Sequence, residues 1–379
     1  MDLLTIALII FALSFLQTVC AYLIYLERKV AAWVQDRKGP NRVGPRGLLQ
    51  PVADGLKFLL KEQVIPTHVN QLLYITAPSI AVLTTSLAFA VVPFGPTDLA
   101  DTSTWRYIIA PDIDIGLLFI FAIGSLNVYS IILGGWASNN KYSLLGALRS
   151  SAQVISYEIP LALSALGIIA LAGSLNLERI LNLQAQAGLT GWFFWYQPMG
   201  WLLFFISALA EANRLPFDLP EAEQELVGGY HTEYSGLKFA MFFLGEYTHV
   251  ITISFLLAIL YFGGWHFPGI AEYGSQYPGA QAVKVLVLWS KVVFFVLLIM
   301  LVRWTLPRFR FDQLMHIAWL GLVPLAILNL LIVLIVRYFE LSDWLLPVLS
   351  VAILSCIPCI WRSRLWISAA ALEVRNAYR

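Results

Sequence analysis

The sequence predicts an all-α polytopic membrane bundle of about nine transmembrane helices, with a further amphipathic helix lying in the interface. Three observations carry this. Of 379 residues, 59% are hydrophobic and only 12% charged, and a mean hydropathy of +0.75 lies far above that of soluble domains. The apolar residues gather into runs near 3–26, 72–93, 115–136, 153–173, 191–212, 237–262, 284–303, 317–337 and 344–361, each about as long as the roughly 20 residues that a crossing needs. The basic residues are also unevenly shared. Connections 27–71, 138–152, 211–236, 303–316 and the segment after 361 hold 18 Lys and Arg, against three in 94–114, 174–197, 263–283 and 337–343. The positive-inside bias then sets the first group in the cytoplasm, with the amino terminus outside and the carboxyl terminus inside.

The first run begins with Asp2, without a basic n-region or a small-residue cleavage site, and reads as a retained helix. Glu27-Arg28-Lys29 marks its cytoplasmic end, either as snorkelling anchors or as the rim of a polar-headed, apolar-tailed pocket. The following RKGPNRVGPR, Arg37 to Arg46, combines two Gly-Pro pairs with four basic residues and cannot stay helical. In GLLQPVADGLKFLLKE, Gln50, Asp54, Lys57 and Lys61 recur on one helical face, opposite Leu48, Val52, Leu56, Leu59 and Leu60. That pattern predicts a helix lying in the interface rather than crossing it. No internal repeat stands out.

Two carboxylates fall inside apolar runs: Glu158 in SYEIPL and Glu246 in FFLGEYTHV. An intramembrane carboxylate costs about 2.5–3.5 kcal/mol on insertion scales and is by default a candidate for a proton or ion path. The alternative is a packing residue bonded to a neighbouring Tyr, Ser or His. Between the fifth and sixth runs, EANRLPFDLPEAEQELVGGYHTE carries Glu211, Asp218, Glu221, Glu223, Glu225 and Glu233 against the single Arg214. Pro216 and Pro220 stop the preceding helix, and Gly228-Gly229 frees the far end. A solvated acidic loop is the plain reading; Phe217, Leu219 and Leu226 speak for a protein-lined one. His231 and His249 are candidate proton carriers, whereas His68, His266 and His316 read as interface residues. None of the five has metal-ligand spacing, and Cys20, Cys356 and Cys359 read as small buried hydrophobes. The sequence predicts no metal site and no cofactor bound by this chain.

GLLQPVADGLKFLLKE and PFDLPEAEQELVGG resemble the two signature segments of the H-type membrane subunit of respiratory complex I, the family that includes the mitochondrial ND-one protein. The likeness extends through ERK, RKGPNRVGP, GWASNNKYSLLGALRSSAQVISYE, LAEANRLPFD, EYTHV and PRFRFDQLMH, in order, over about residues 1–337. It implies a membrane subunit of a proton-translocating NADH:quinone oxidoreductase in a bacterial plasma (inner) membrane. By matching motif, Glu27, Arg28, Lys29, Arg37, Arg42, Arg46, Asp54 and Lys57 would border the quinone path. Glu158, Glu211, Arg214, Asp218, Glu221, Glu223, Glu225, His231, Glu233 and Glu246 would form the proton and coupling route. Quinone, ubiquinone or menaquinone, is the implied substrate, and iron–sulfur clusters and FMN would belong to partner subunits. Lipid and the quinone-site and small membrane subunits are the expected partners; nucleic acid is not. The resemblance stops near 337, so 338–379 is expected to add a peripheral ninth span and a cytoplasmic tail. Two other readings stay open: the homologous subunit of an energy-converting hydrogenase-type complex, and a stand-alone ion transporter.

Overall fold

The computed structural model describes residues 3–97, 107–218, 227–275 and 279–355. Helix α1, Leu3–Val34, runs well past the expected end near 26. LERKVAAWV offers no breaker before Gly39-Pro40, so Glu27, Arg28 and Lys29 sit within a continuous helix rather than at its frayed end. The basic loop then turns back over itself. Gly47 has a φ of 84°, and a Cβ there would lie 2.2 Å from the Pro40 carbonyl oxygen, which excludes any other residue. Helix α2, Gln50–Leu60, starts with Pro51 in its first turn and leaves Val52, Leu56, Leu59 and Leu60 exposed.

Helices α3 (Gln71–Ala88) and α5 (Lys141–Ala172) are each capped by an asparagine side chain, Asn70 and Asn140, with α4 (Gly116–Ala137) between them. Helix α5 starts twelve residues before the expected 153, because Asn140 supplies the cap and SLLGALRSSA contains no proline. Its buried Ser143, Ser150 and Ser151 are small enough for close helix packing. Gly173 ends it in the left-handed conformation. Helix α6, Leu177–Gln186, is short and capped by Asn176.

The expected fifth span is broken into α7 (Phe193–Tyr196) and α8 (Pro198–Glu211), with Pro198 starting the second piece. Then follow α9 (Gly236–Tyr261) and α10 (Ala280–Thr305). Helix α11, Phe311–Tyr338, contains a π-helical turn over Ile317–Leu322, and α12 spans Leu345–Ser355. Among the described residues, seven helices, α1, α3, α4, α5, α9, α10 and α11, are long and apolar enough to cross a membrane, while α8 and α12 are shorter apolar helices. The chain is therefore an integral membrane protein.

Helix α9 is the centre of the bundle, with Val250 to Tyr261 buried throughout. Polar side chains tie its neighbours by main-chain bonds: Tyr157 Oη donates to the Leu314 carbonyl at 3.0 Å, and Gln184 Nε2 to that of Ile259 at 2.8 Å. Where α9 ends, Lys291 Nζ donates to the Phe262 and His266 carbonyls at 2.6 and 2.7 Å and lies 4.4 Å from the centre of the Trp192 ring. Trp192 Nε1 donates in turn to His266 Nδ1 at 3.3 Å. Beyond α11, Leu346 packs with Val333 and Val336, and Trp344 lies against Tyr196.

Candidate functional site

A cavity of about 990 Å³ opens between α1, α2, the 228–234 turn, α9 and the end of α10. Apolar side chains, among them Ile24, Phe58, Leu59, Phe239, Phe243 and Trp304, line most of it. The polar lining is concentrated on Glu27, Arg28, Asp54, Arg214, Tyr247 and Arg303.

Glu27 is the hub of that polar lining. It is 7% exposed, and its carboxylate accepts from Tyr247 Oη at 2.6 Å, from Arg303 Nη1, and from Arg214 Nη1 at 3.5 Å. The Arg214 guanidinium also stacks 4.2 Å from the Tyr247 ring centre. One carboxylate thus takes two guanidiniums and a phenol from three other parts of the chain, and satisfied bonds of this kind are what make buried charge tolerable. Nearer the opening, Arg28 pairs with Asp54 at 2.7 Å and Gln50 Nε2 donates to the same carboxylate at 2.9 Å, which ties α1 to α2.

The family resemblance would put Glu27 and Arg214 in separate groups, one bordering the quinone and the other coupling the protons; the structure brings the two side chains together. The rest of the basic loop does not reach this cluster. Arg37, Lys38 and Arg42 are exposed and line, with Arg28, a separate cavity of about 440 Å³. Arg46 and Lys57 are exposed, Arg46 being held through its carbonyl by Tyr25 Oη at 2.7 Å. Lys29 lies 5.5 Å over the Tyr25 ring.

The segment after α8 is pinned from two sides. Gln153 Nε2 donates to the Ala210 and Phe217 carbonyls at 2.8 and 2.6 Å, and Arg308 Nη2 pairs with Asp218 Oδ2 at 3.1 Å. Its far end is clamped too. A Cβ on Gly146 of α5 would meet Gly229 Cα at 2.8 Å, so helix and turn touch through bare backbone. Glu221, Glu223 and Glu225, like Cys356 and Cys359, lie outside the described residues.

The remaining carboxylates form a discontinuous series. Glu211 Oε1 lies 3.3 Å from His249 Nε2, so His249 faces α8. Half-buried Glu158 of α5 has Glu211 and His249 as its titratable neighbours. Glu246 accepts from Tyr230 Oη at 3.2 Å, and Glu233 from Asn140 Nδ2 at 2.8 Å. His231 lines the large cavity, packed against Tyr230 and Phe242, and burial pushes it down to about 3, so it is neutral at physiological pH.

Sequence reasoning missed Tyr247, Arg303, Arg308, Gln153 and Asn140. Arg303 and Arg308 left a trace there as positive charge on the cytoplasmic side, and Tyr247, Gln153 and Asn140 lie within the quoted segments EYTHV and GWASNNKYSLLGALRSSAQVISYE without being singled out. Among the described residues no group of three or more His, Cys, Asp and Glu is arranged to hold a metal ion.

A helical membrane bundle with a large amphipathic cavity over a buried ion cluster is the class of protein defined so far. Residues 6–334 match the family described as NADH dehydrogenase, and the chain belongs to that family. It is 46% identical over 314 residues to an H-type subunit of NADH-quinone oxidoreductase from Cytophaga hutchinsonii, covering 83% of this chain and 91% of the relative. It is 47% identical over 326 residues to the H-type subunit of the same oxidoreductase from Protochlamydia amoebophila, 86% and 94% of the two chains. "NADH-quinone oxidoreductase subunit 8" of Rhodothermus marinus is 46% identical over 318 residues, 82% and 90% of the two.

Proposed function

We propose that the chain is the membrane subunit of an NADH:quinone oxidoreductase, in which it forms the wall of the quinone path and couples quinone reduction to proton translocation through its glutamates. The carrying observation is the cavity of about 990 Å³: apolar over most of its wall, polar at the Glu27 cluster, and bordered by the interfacial helix α2. Such a lining suits a molecule with a long apolar tail and a polar head. Arg28, Lys29, Arg37, Arg42, Arg46, Asp54 and Lys57 would stand at the entrance, and Glu27 at its polar wall. Glu158, Glu211, Glu233 and Glu246, together with Arg214, Asp218, His231 and the acidic residues 221, 223 and 225, would carry the coupling.

Electron delivery and direct protonation of the quinone are assigned to partner subunits holding FMN and iron–sulfur clusters. The complex lies in the bacterial plasma membrane with this chain's amino terminus outside. Residues 1–337 are assigned to the shared membrane domain and 338–379 to an additional helix and tail.

A quinone with a photoactivatable tail, irradiated in the assembled complex, tests the path. Adducts should fall within 21–31, 51–59 or 237–247; adducts confined to other subunits would sink the assignment. For the coupling, Glu158→Gln should impair proton-coupled quinone reduction in proteoliposomes far more than reduction of an artificial acceptor by the hydrophilic arm. Equal turnover and proton yield in mutant and wild type would refute it.

A further inference from the structure

Apart from the large cavity, a small chamber of about 20 Å³ lies where α3, α4, α8 and α9 meet, lined by Thr84, Thr85, Asn127, Glu211, His249 and Thr252 among others. A space of that size accommodates one water when enough polar partners surround it. The three threonines are already committed as donors: Thr84 Oγ1 to the Ile80 carbonyl at 2.9 Å, Thr85 Oγ1 to Ala81 at 2.8 Å, and Thr252 Oγ1 to Thr248 at 3.0 Å. What they retain are acceptor lone pairs. His249 Nε2 is buried and, although 3.3 Å from Glu211 Oε1, makes no hydrogen bond of acceptable geometry to any protein atom. Gly124 also lines the chamber, and a Cβ there would enter it in ordinary contact with Glu211 Oε1, at 3.5 Å.

We propose that this chamber holds a single water that hydrogen-bonds His249 Nε2 and Glu211 together, and that a proton passes between Glu211 and His249 through that water. The proposal rests on the glutamate route proposed above and adds a residue and a site to it. The step balances without any redox change. A protonated Glu211 gives its proton to the water as the water gives one to Nε2, leaving a carboxylate, an imidazolium and an intact water. Reversal restores the start. The charged groups around the imidazole are Glu211 from α8, Glu158 from α5 and, one turn back on its own helix, Glu246. From the chamber lining, α3 and α4 bring hydroxyls and the Asn127 amide, and α1 brings Cys20 to the neighbouring Thr248 at 3.3 Å.

The test uses the whole complex in proteoliposomes. His249→Gln, which keeps polar atoms but cannot carry a proton in this range, should lower proton-coupled quinone reduction at least five-fold, with artificial-acceptor reduction unchanged. Gly124→Ala alters no ionisable group and meets only an ordinary contact with Glu211; by taking up the chamber it should lower the same rate and change its solvent deuterium isotope effect. A high-resolution map of the wild-type complex should show a water within hydrogen-bond distance of His249 Nε2 and Glu211 Oε1. Wild-type rate and proton yield in both variants, or an empty chamber in the map, would overturn the proposal. Glu158→Gln, measured in parallel, separates the two levels. If it alone lowers the proton yield, the relay at His249 fails while the glutamate route stands; if none of the three variants does so, both fail.

Discussion

The bundle buries charge in two contrasting ways. At the wall of the large cavity, Glu27 is held by counter-charges, Arg214 and Arg303, with Tyr247 completing its hydrogen bonds. Where α9 ends, Lys291 has no counter-charge among the described residues and is held by two carbonyls and the face of an indole. The first arrangement balances one charge with others, so anything that changes one member acts on the rest. The second surrounds a charge with fixed dipoles that do not change. Networks of mobile charge suit a site that must respond, and a cage of neutral groups suits a place that must stay put.

Four experiments test that contrast. The largest effect is expected for Glu27→Ala, which leaves two guanidiniums in a largely buried site; removing one partner of such a pair costs about 3–5 kcal/mol. Thermal denaturation of the purified complex should show this, and quinone reduction should fall with it. A loss no larger than that of an exposed ion pair would mean the cluster is hydrated and the contrast false. Lys291→Met is next. It frees the Phe262 and His266 carbonyls, at a cost of about 2–3 kcal/mol, yet should leave the apparent affinity for quinone as in wild type. A change in that affinity would show that the lysine cage communicates with the cavity.

His231 stands between the two cases, a titratable group kept neutral. An unfolded histidine takes up its proton near 6.5, whereas the folded one does so only near about 3. The unfolded chain therefore binds more protons below 6.5. Stability is fully present above that pH and declines as the pH falls toward 3, by about 2 kcal/mol between pH 6.5 and 5. Melting curves across that window should show the slope, and His231→Phe should flatten it. The smallest effect belongs to Arg28→Ala. Its pair with Asp54 is half exposed on the arginine side, so the loss should be under about 1 kcal/mol. A larger loss in melting would place Arg28 functionally with the Glu27 cluster.

Most of the fold was legible in the sequence because hydropathy is local, and each span declares itself within its own residues. The errors came where local signals compete. The polar run 141–152 reads as a connection, yet its serines are buried faces of α5. Pro198 is outweighed by the apolar length around it, and the structure breaks the helix there. The carboxylates of the site were equally legible, since charge in hydrocarbon is conspicuous at any position. Their partners were not. Glu27 and Arg303 are 276 residues apart, and nothing in the neighbourhood of either announces the other. Gln153 shows the same limit: its amide shapes the turn after α8 through main-chain carbonyls, which leave no mark in a sequence.

The π turn in α11 has a consequence of phase. Before it, Leu314 meets Tyr157; after it, Asn329 bonds to Gln197 at 3.4 Å and Arg337 to the Leu171 carbonyl at 2.7 Å. A helix advances about 100° per residue, so the wide turn works as a vernier that brings both ends into register with α5 at once. Winding the same six residues, 317–322, as a regular α-helix, with none removed, would rotate every later side chain by about that angle. Arg337 would then lose its carbonyl, and the helix that continues beyond the family's shared length would start from the wrong side of the bundle.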